Sequence, residues 1–512
     1  MATPSGESLL NAEFDALVKE QLELWKVPGL AIAIVQGPNT YSKAYGFAEL
    51  PDKKMTTDAL FSTCSTTKAF TAAATSMAIQ DSKATASPFD WDTPMSTLIP
   101  DDFVLADDYY TKNVTIEDLL SHRSGMASHM WVPSLNKKDV TVRESVRSLR
   151  NLPLAHPLRT KFEYNNHGYI AVSYALEKLT GEPLGNILKR RIWEPLGMNE
   201  TFFSIQEAKA NPSSAQKFVQ GYSWYPTDEG GSYNPEPTMS WDAVSGAGTM
   251  VSNVLDYSHW IREQIHKTGP LKGHDSLTQP RILHFENDGG SPPGPWHAHA
   301  LGWYCDYYRD QPLHTHPGGW PGFGSLVGFL PNKDFGFAIL GNATPANVVG
   351  FRLLMHLLDK ILDLPDDPKY NEELAACFAK QRETWDRSIS PPSLDEVKAK
   401  FYPSLPDPPL PLSLPVEKYA GTYTHKTGDS VILTVQEGHL TADFSDRPIT
   451  VCLELVHVSG EFFIGKLWNK KRVYFQQFPV EFSVDSTGTA HKVGMLLEAA
   501  LGEEKIWFER KE

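Results

Sequence analysis

The sequence predicts an antiparallel β-sheet with helices packed on it, followed by a small all-β module. Near the start, residues 11–24 carry apolar side chains at helical spacing. Two apolar runs follow at 30–35 and 41–48, and Gly37-Pro38-Asn39 lies between them. So short a connection joins antiparallel strands, because parallel strands need a long crossover. The order helix, strand, strand therefore indicates helices lying against an antiparallel sheet.

A second hairpin is predicted further along the chain. Residues 326–330 and 335–340 are apolar runs separated by the turn sequence Pro331-Asn332-Lys333-Asp334. Helical patterns lie before and after this hairpin. They cover 65–80, 115–122 and 169–180, then a helix through Trp260 that follows a tight turn at 246–252, and a closing helix at 351–362.

The domain organisation follows a change of composition after about residue 365. Residues 366–415 are polar and then rich in proline, which predicts a linker with some helix at 372–385. Residues 423–508 hold short runs of Val, Ile, Leu, Phe and Tyr between Gly and Asp turns, a pattern typical of a small barrel. We therefore expect a first domain over 1–365, a linker over 366–415 and a barrel-like domain over 416–512.

Composition and charge disfavour several classes of partner. The chain has 512 residues and a formal net charge of −15, which disfavours binding to nucleic acid or to anionic membrane surfaces. No apolar run approaches the ~20 residues that cross a bilayer, and the N-terminal sequence has no basic region followed by an apolar core. The four cysteines form no spaced framework and predict thiols in a reducing compartment. A cytoplasmic protein is therefore expected, with no nucleic-acid or membrane partner.

The first chemical signal is Ser65-x-x-Lys68, where a Ser/Thr cluster opens an alanine-rich helical pattern. Ser and Thr favour helix starts, so Ser65 is placed in the first turn with Lys68 on the same face. A lysine there is poor for stability but suits an amine that must take a proton from Ser65. Ser-x-x-Lys alone is weak evidence, because Ser134/Lys137 and Ser214/Lys217 also match. Those two pairs lie in polar stretches and are interpreted as solvated loop residues.

Two further stretches carry candidate groups. Tyr164 precedes the helix predicted at 169–180, and a loop tyrosine near a cation can act as a general base or proton relay. Packing of the loop is the alternative role for a lone tyrosine. The stretch 314–325 is rich in glycine, so its backbone could approach a ligand closely and present amides to an oxyanion.

Three alternative chemistries have weaker support. The pairs His297-Ala298-His299 and His314-Thr315-His316 would each share a strand face, but no His-Glu-x-x-His helix accompanies them, and no metal is expected. The chain lacks a Gly-x-Ser-x-Gly elbow, which disfavours an α/β-hydrolase. Cys64 has no evident activating partner and is interpreted as a packing residue. Lys426-Thr427-Gly428 fits an ordinary hairpin turn.

In chain order, Ser65-x-x-Lys68, Tyr164-x-Asn166 and His316-Pro317-Gly318-Gly319 resemble the three motifs of the serine β-lactamase and DD-peptidase superfamily. Within it, the chain is similar to the class C β-lactamase-like branch, which includes esterases and polyketide acyltransferases. The resemblance covers about residues 11–364 and implies an α/β sandwich with the site between a helical lobe and the sheet. The tail resembles the lipocalin-like module often appended to such proteins, on the segment Tyr419-Ala420-Gly421-Thr422-Tyr423.

The resemblance also implies roles for the motif residues. Ser65 would be the nucleophile of an acyl-enzyme mechanism, and Lys68 and Tyr164 would share its proton as base and then acid. Asn166 would orient the substrate or Lys68. The backbone amides of Ser65 and Gly319 would form the oxyanion hole, and no cofactor is implied.

The third motif departs from the family's pattern. The β-lactamases and peptidases carry Lys-Thr-Gly where this chain has His316-Pro317-Gly318. Proline has no hydroxyl and histidine is mostly uncharged at neutral pH, so the positive charge that usually binds a substrate carboxylate at this motif is weakened. A neutral ester, lactone or thioester is therefore expected. The nearby aromatics Trp320, Phe323, Trp303 and Tyr304 favour an apolar acyl or polyketide-like group, and core packing is the alternative role for most of them.

The leading hypothesis is a serine hydrolase that works through an acyl-serine on a small apolar acyl substrate. A competing hypothesis is an acyltransferase that passes the acyl group to an alcohol or amine acceptor in a biosynthetic pathway. A further hypothesis is an inactive binding or scaffold protein. The intact Ser65, Lys68 and Tyr164 argue against an inactive protein.

Overall fold

The computed structural model describes residues 8–129, 139–227, 230–238, 242–284, 292–294, 296–447, 450–469 and 474–511. The Ser134/Lys137 match lies outside these residues. The α-helices in these ranges span Ala12–Leu24, Thr67–Ser82, Met95–Leu98, Asp108–Asn113, Ile116–Leu120, Val142–Ser148, Asn166–Thr180, Leu184–Leu188, Glu194–Leu196, Ile205–Ala210, Val254–His266, Ala346–Leu362, Pro368–Ile389 and Leu394–Phe401. Within the same ranges, no helix is both long and apolar enough to span a membrane.

The first domain is built on an antiparallel sheet. The strands of this domain are β1 (Gly29–Gln36), β2 (Asn39–Glu49), β3 (Lys53–Lys54), β4 (Phe61–Ser62), β5 (Tyr222–Tyr225), β6 (Ser232–Pro235), β7 (Val251–Ser252), β8 (Ile282–His284), β9 (His297–His299), β10 (Tyr304–Tyr308), β11 (Gln311–Trp320), β12 (Phe323–Leu330) and β13 (Phe335–Gly341). Two separate two-stranded sheets are formed by β4 with β7 and by β5 with β6. Among the described residues the main sheet has nine strands in the order β3-β2-β1-β13-β12-β11-β10-β9-β8. Both predicted hairpins are present, because β1 pairs with β2 and β12 with β13. β13 also pairs with β1, so strands from the two ends of the domain meet inside the sheet.

Helices cover both faces of this sheet. The residues of β1 are buried from Gly29 to Val35, and alternate side chains of a strand point to opposite faces. One set packs with the helices Ala12–Leu24 and Ala346–Leu362. The other set packs with the helices Thr67–Ser82 and Val254–His266. The predicted α/β sandwich is therefore confirmed.

The C-terminal segment forms a closed barrel, as the sequence predicted. Its strands are β14 (Gly421–Thr424), β15 (Ser430–Gln436), β16 (His439–Phe444), β17 (Val451–Ser459), β18 (Phe462–Asn469), β19 (Tyr474–Val484), β20 (Ala490–Met495) and β21 (Ile506–Arg510). In the described part of the chain these eight strands pair in sequence order, and β14 closes the barrel against β21. Lys426-Thr427-Gly428 lies in the turn between β14 and β15.

The segment between the two domains contains more helix than the sequence predicted. The helix expected at 372–385 spans Pro368–Ile389 and packs on the first domain, where the Trp385 ring lies 6.3 Å from the Trp25 ring. The helix Leu394–Phe401 packs instead on the barrel, because Val397 belongs to one apolar cluster with Ile464. The domain boundaries themselves stay a prediction.

The barrel also contacts the first domain directly. The Glu498 carboxylate accepts a hydrogen bond from the backbone N–H of His129 at 2.5 Å. On another side, the Asn469 amide donates to the Tyr225 hydroxyl at 3.2 Å. These two contacts place barrel residues beside His129 and beside strand β5 of the first domain.

Candidate active site

Ser65 lies in a short 3₁₀ turn that leads into an α-helix. The turn spans Cys64–Thr66 and the helix starts at Thr67, so the predicted start at Ser65 is two residues early. Cys64 has φ of 54°, in the left-handed region that costs a residue with a side chain, and this bend separates Ser65 from β4. The Thr66 and Thr67 hydroxyls donate back to carbonyls of the turn at 2.8 and 2.7 Å. The Ser65 hydroxyl does not cap the helix and is available to another partner.

That partner is Lys68, whose side chain is fully buried. Its Nζ lies 3.1 Å from Ser65 Oγ, 2.7 Å from Asn166 Oδ1 and 2.7 Å from the Ala247 carbonyl oxygen. Burial lowers the pKa of Lys68 well below 10.5, because the charged amine loses its hydration. All three contacting oxygens are uncharged, so they offer no opposite charge that would restore the pKa.

The three contacts also fix the direction of the Lys68 lone pair. A neutral amine has two N–H donors and one lone pair, and a carbonyl oxygen can only accept. The two shorter contacts, to Asn166 Oδ1 and to the Ala247 carbonyl, take both N–H groups. The lone pair is then directed at Ser65, whose hydroxyl can donate. The arrangement suits removal of the Ser65 proton by Lys68.

Tyr164 and Asn166 lie at the start of the helix Asn166–Thr180, which begins three residues before the predicted start at residue 169. The Lys68 Nζ lies 4.9 Å from the centre of the Tyr164 ring. Burial raises the pKa of the Tyr164 phenol, and its hydrogen bond with Ser65 lowers it in part. The phenol therefore keeps its proton at neutral pH and can donate it. The structure brings Ser65, Lys68, Tyr164 and Asn166 together; their catalytic roles stay a prediction.

Strand β11 brings the third motif against the turn that carries Ser65. Gly318 permits this approach, since a Cβ there would lie 2.2 Å from Ser325 Oγ and 2.7 Å from the Thr63 carbonyl oxygen. The next residue, Gly319, is exposed, and a Cβ there would meet nothing closer than an Asn347 amide nitrogen at 3.9 Å. Successive residues of a strand point to opposite faces, so this open space lies on the face of β11 away from the Ser65 turn. The oxyanion role of the Gly319 amide stays a prediction.

Gly318→Ala is expected to lower both stability and activity, because the added methyl group pushes β11 away from the Ser65 turn. Overpacking of this kind costs ~1–3 kcal/mol in the free energy of unfolding. Urea unfolding and kcat/KM for an accepted ester measure the two effects. Gly319→Ala is the matched control for stability, because open space receives its methyl group. Equal unfolding midpoints for the two variants would contradict this explanation of Gly318.

His316 is fully buried. Its Nδ1 lies 2.7 Å from the carbonyl oxygen of Pro317, and its Nε2 has no hydrogen-bond partner among the described residues. Burial, with a smaller contribution from the nearby Lys68, lowers the pKa of His316 to about 3. The ring packs 6.2 Å from the His299 ring and 5.5 Å from the Tyr304 ring. His316 is therefore neutral at physiological pH and supplies no positive charge to the third motif.

The Ser214/Lys217 match is part of a polar cluster away from this site. Ser214 is buried and donates to a Glu200 carboxylate oxygen at 2.8 Å, so its interpretation as a solvated loop residue is wrong. Lys217 forms ion pairs with Asp58 and Glu200 at 3.3 and 3.6 Å. The hydroxyl of Ser214 is held by a carboxylate, which explains its burial.

His297 and Cys64, which belong to the sequence patterns for a metal site and for a cysteine nucleophile, are both buried. His297 Nδ1 lies 2.7 Å from an Asp306 carboxylate oxygen. No group of three or more His, Cys, Asp or Glu side chains in the described ranges is arranged to hold a metal ion. Burial raises the pKa of the Cys64 thiol to about 12, which opposes formation of a nucleophilic thiolate.

Sequence reasoning missed the Ala247 carbonyl, which holds Lys68. This carbonyl ends the 3₁₀ segment Asp242–Ala247. The preceding Gly246 packs against the helix that carries Lys68, since a Cβ on Gly246 would lie 2.5 Å from Thr71 Oγ1. The sequence Gly246-Ala247-Gly248 indicated a tight turn, but no pattern in it identified Lys68 as a partner.

A family model described as Beta-lactamase matches residues 14–359. The chain therefore belongs to the β-lactamase family, and it is a serine hydrolase with that fold. A second model, described as Domain of unknown function (DUF3471), matches residues 405–510 and includes the barrel.

The similarity to known proteins extends over both domains of this chain. A protein named unguisins hydrolase from Aspergillus campestris is 34% identical over 510 residues, which cover 98% of this chain and 92% of that protein. A protein with the same name from Aspergillus violaceofuscus is 33% identical over 537 residues, covering 99% and 92%. The structure of the octameric penicillin-binding protein homologue from Pyrococcus abyssi aligns with a TM-score of 0.58 at 19% identity, covering 97% of this chain and 99% of that one. That structure shares the fold.

Proposed function

We propose that the chain hydrolyses a neutral ester, lactone or thioester through an acyl group carried on Ser65. The observation that carries this proposal is the fully buried Lys68, whose Nζ lies 3.1 Å from Ser65 Oγ. The relatives named unguisins hydrolases, at 34% and 33% identity, support hydrolysis over transfer to an acceptor.

In the first step, Lys68 takes the Ser65 proton while Oγ attacks the carbonyl carbon of the substrate. The carbonyl electron pair moves to oxygen, where the amides of Ser65 and Gly319 stabilise it; one such donor contributes ~3 kcal/mol. The proton passes through Lys68 and Tyr164 to the leaving oxygen or sulfur, and the bond to the carbonyl carbon breaks. Water then attacks the acyl group, with the same two side chains acting in the reverse order.

The charge of the site favours uncharged substrates. A lysine at the third motif would make a charge-assisted hydrogen bond to a substrate carboxylate, typically worth ~1.5–3 kcal/mol. The buried His316 is neutral above its pKa of about 3 and makes no such contact. Burial lowers the pKa of Lys68 and so favours its uncharged form, and its Nζ already contacts Asn166 Oδ1 and the Ala247 carbonyl oxygen. A substrate carboxylate would therefore lose its hydration without a cationic partner from these residues.

A free carboxylate on the substrate is thus expected to reduce kcat/KM by roughly ten-fold or more. The test compares a cephalosporin, which carries a carboxylate, with its methyl ester and with a simple neutral ester, at about pH 8, where His316 is neutral. The methyl ester is the matched control, because it keeps the β-lactam ring and removes the charge. Efficient hydrolysis of the charged cephalosporin would contradict the preference for neutral substrates.

The pH dependence of kcat/KM should follow Lys68. Below the lowered pKa of Lys68 the amine is protonated and has no lone pair, so activity should rise with pH through a value well below 10.5. Asn166→Asp places a negative charge 2.7 Å from Nζ, which raises the pKa of Lys68 and should move the acid limb up by about one unit or more.

Asn11→Asp is the control for this shift, because Asn11 is an exposed cap of the helix Ala12–Leu24 and aspartate also caps helices. Its pH profile should match that of the wild type. An unchanged acid limb in Asn166→Asp would show that Lys68 is not the titrating base.

A further inference from the structure

His122 has an unusual backbone conformation beside the residues of the second motif. It lies two residues after the end of the helix Ile116–Leu120 and has φ of 60°, in the left-handed region. Glycine adopts this region readily, whereas residues with side chains do so at a cost and concentrate at functional sites. His122 is also buried. A buried histidine in this conformation indicates that its contacts outweigh the backbone strain.

Those contacts reach three consecutive residues around Tyr164. The His122 carbonyl oxygen accepts a hydrogen bond from the Glu163 N–H at 2.8 Å. The His122 ring Nδ1 accepts another from the Asn165 N–H at 3.0 Å. Between these two bonds the His122 ring packs on the Tyr164 ring, with centres 4.5 Å apart and planes 33° from parallel. His122 therefore fixes the backbone on both sides of Tyr164 and packs against its side chain.

The bond from Asn165 also determines the tautomer of His122. A ring nitrogen that accepts a hydrogen bond carries no proton, so the proton of the neutral ring is on Nε2. Burial, with a smaller contribution from the nearby His299, lowers the pKa of His122 well below 6.5. The neutral ring, whose Nδ1 can accept from Asn165, is therefore the form present at physiological pH.

Other aromatic side chains hold the His122 ring in place. The Phe162 ring meets it edge to face, with centres 5.6 Å apart. The Tyr169 ring lies 5.4 Å from it, and the Tyr169 hydroxyl donates to the Leu120 carbonyl at 2.6 Å. Tyr169 belongs to the helix Asn166–Thr180, so His122 contacts that helix as well as the stretch before it. A ring packed in this way has little freedom to move away from Tyr164.

We propose that His122 is a positioning residue, which holds the Tyr164 phenol where it can pass a proton to the leaving group of the substrate. The inference rests on the proposed function, in which the Ser65 proton reaches the leaving oxygen or sulfur through Lys68 and Tyr164. Proton transfer requires the two groups to lie within hydrogen-bond reach, so a displacement of the phenol by about 1 Å slows the reaction.

The test compares ethyl butyrate and 4-nitrophenyl butyrate as substrates of His122→Leu. Ethoxide is a strong base and leaves only with a proton, whereas nitrophenolate leaves without one. His122→Leu removes both the Nδ1 acceptor and the aromatic ring. The value of kcat/KM for ethyl butyrate should therefore fall roughly ten-fold or more beyond the fall for the nitrophenyl ester. A purely structural role would lower both values by the same factor.

Two further variants separate this effect from a folding defect. His122→Asn keeps an oxygen acceptor and tolerates positive φ, so it should fold and show a smaller change in the same direction. His129→Leu is the matched control, because His129 is also buried, has φ of 47° and contacts the Pro153 carbonyl through its ring. It should lose stability and keep the wild-type ratio of the two kcat/KM values.

A spectroscopic measurement separates this inference from the proposed function. With 3-fluorotyrosine at position 164, the fluorine NMR signal should move in His122→Leu and stay in place in His129→Leu, because the His122 ring packs on Tyr164. If neither ester is hydrolysed but this pattern holds, the hydrolase proposal fails and the positioning of Tyr164 by His122 stands. If His122→Leu lowers kcat/KM equally for both esters, or leaves the fluorine signal unchanged, the inference is overturned.

Discussion

Ser65→Ala is expected to lower kcat by at least ~10⁴-fold for any accepted substrate, because the acyl group then has no oxygen to bond to. The fold should persist, since Lys68 keeps its two shorter hydrogen bonds, to Asn166 and to the Ala247 carbonyl. Steady-state kinetics and urea unfolding measure the two outcomes.

Ser214→Ala is the matched control for this variant. It removes the serine of the Ser214/Lys217 match, which is buried and bonded to Glu200. The loss of that hydrogen bond should cost about 1 kcal/mol or more in the free energy of unfolding and leave kcat unchanged. Comparable loss of kcat in both variants would show that folding, and not the nucleophile, explains the effect.

Lys68→Met is expected to lower kcat by ~10²–10⁴-fold, because the side chain keeps its length but cannot accept a proton. It also leaves Asn166 Oδ1 and the Ala247 carbonyl without their shared donor, so stability should fall as well. Lys68→Arg separates the two effects: guanidinium can donate to both oxygens but does not lose its proton near neutral pH.

If Lys68 is the base, Lys68→Arg should be as inactive as Lys68→Met. Lys217→Met is the control, since Lys217 pairs with Asp58 and Glu200 and should be dispensable for turnover. Substantial activity in Lys68→Arg would mean that Lys68 acts only as a hydrogen-bond donor, and another base would have to be sought.

Much of this architecture was predictable from local sequence. The hairpins around β1 and β13 follow from apolar runs separated by turn residues, and the barrel follows from short regular strands. The helix Ile116–Leu120 begins at a capping box of Thr115 and Asp118, as its sequence indicates. Such features depend on residues within a few positions of one another, which is why a single sequence reveals them.

The details of the site were less predictable because they depend on long-range packing. The 3₁₀ turn at Ser65 forms where β11 presses Gly318 against it, and the start of the helix at Asn166 is fixed by the Asn165 cap, which the prediction did not use. The Ala247 carbonyl reaches Lys68 across a separation of 179 residues. No local pattern encodes that contact.

The prediction also underestimated the structural contribution of residues 366–415, which connect the two domains. Its composition, polar and then rich in proline, predicted a linker with some helix. The helix Pro368–Ile389 instead contributes Trp385 to a cavity that Gly319 also lines. The aromatic residues of this helix, Tyr370, Phe378 and Trp385, were the available signal, because a helix in solvent gains nothing from exposing aromatic rings.

The most direct test of the acyl-serine mechanism is labelling with a fluorophosphonate, followed by peptide mass spectrometry of the adduct. We expect a single modified residue, Ser65, with labelling lost in Ser65→Ala and retained in Ser214→Ala. An adduct on Cys64, Ser134 or Ser214, or labelling that persists in Ser65→Ala, would contradict the assignment of Ser65 as the nucleophile.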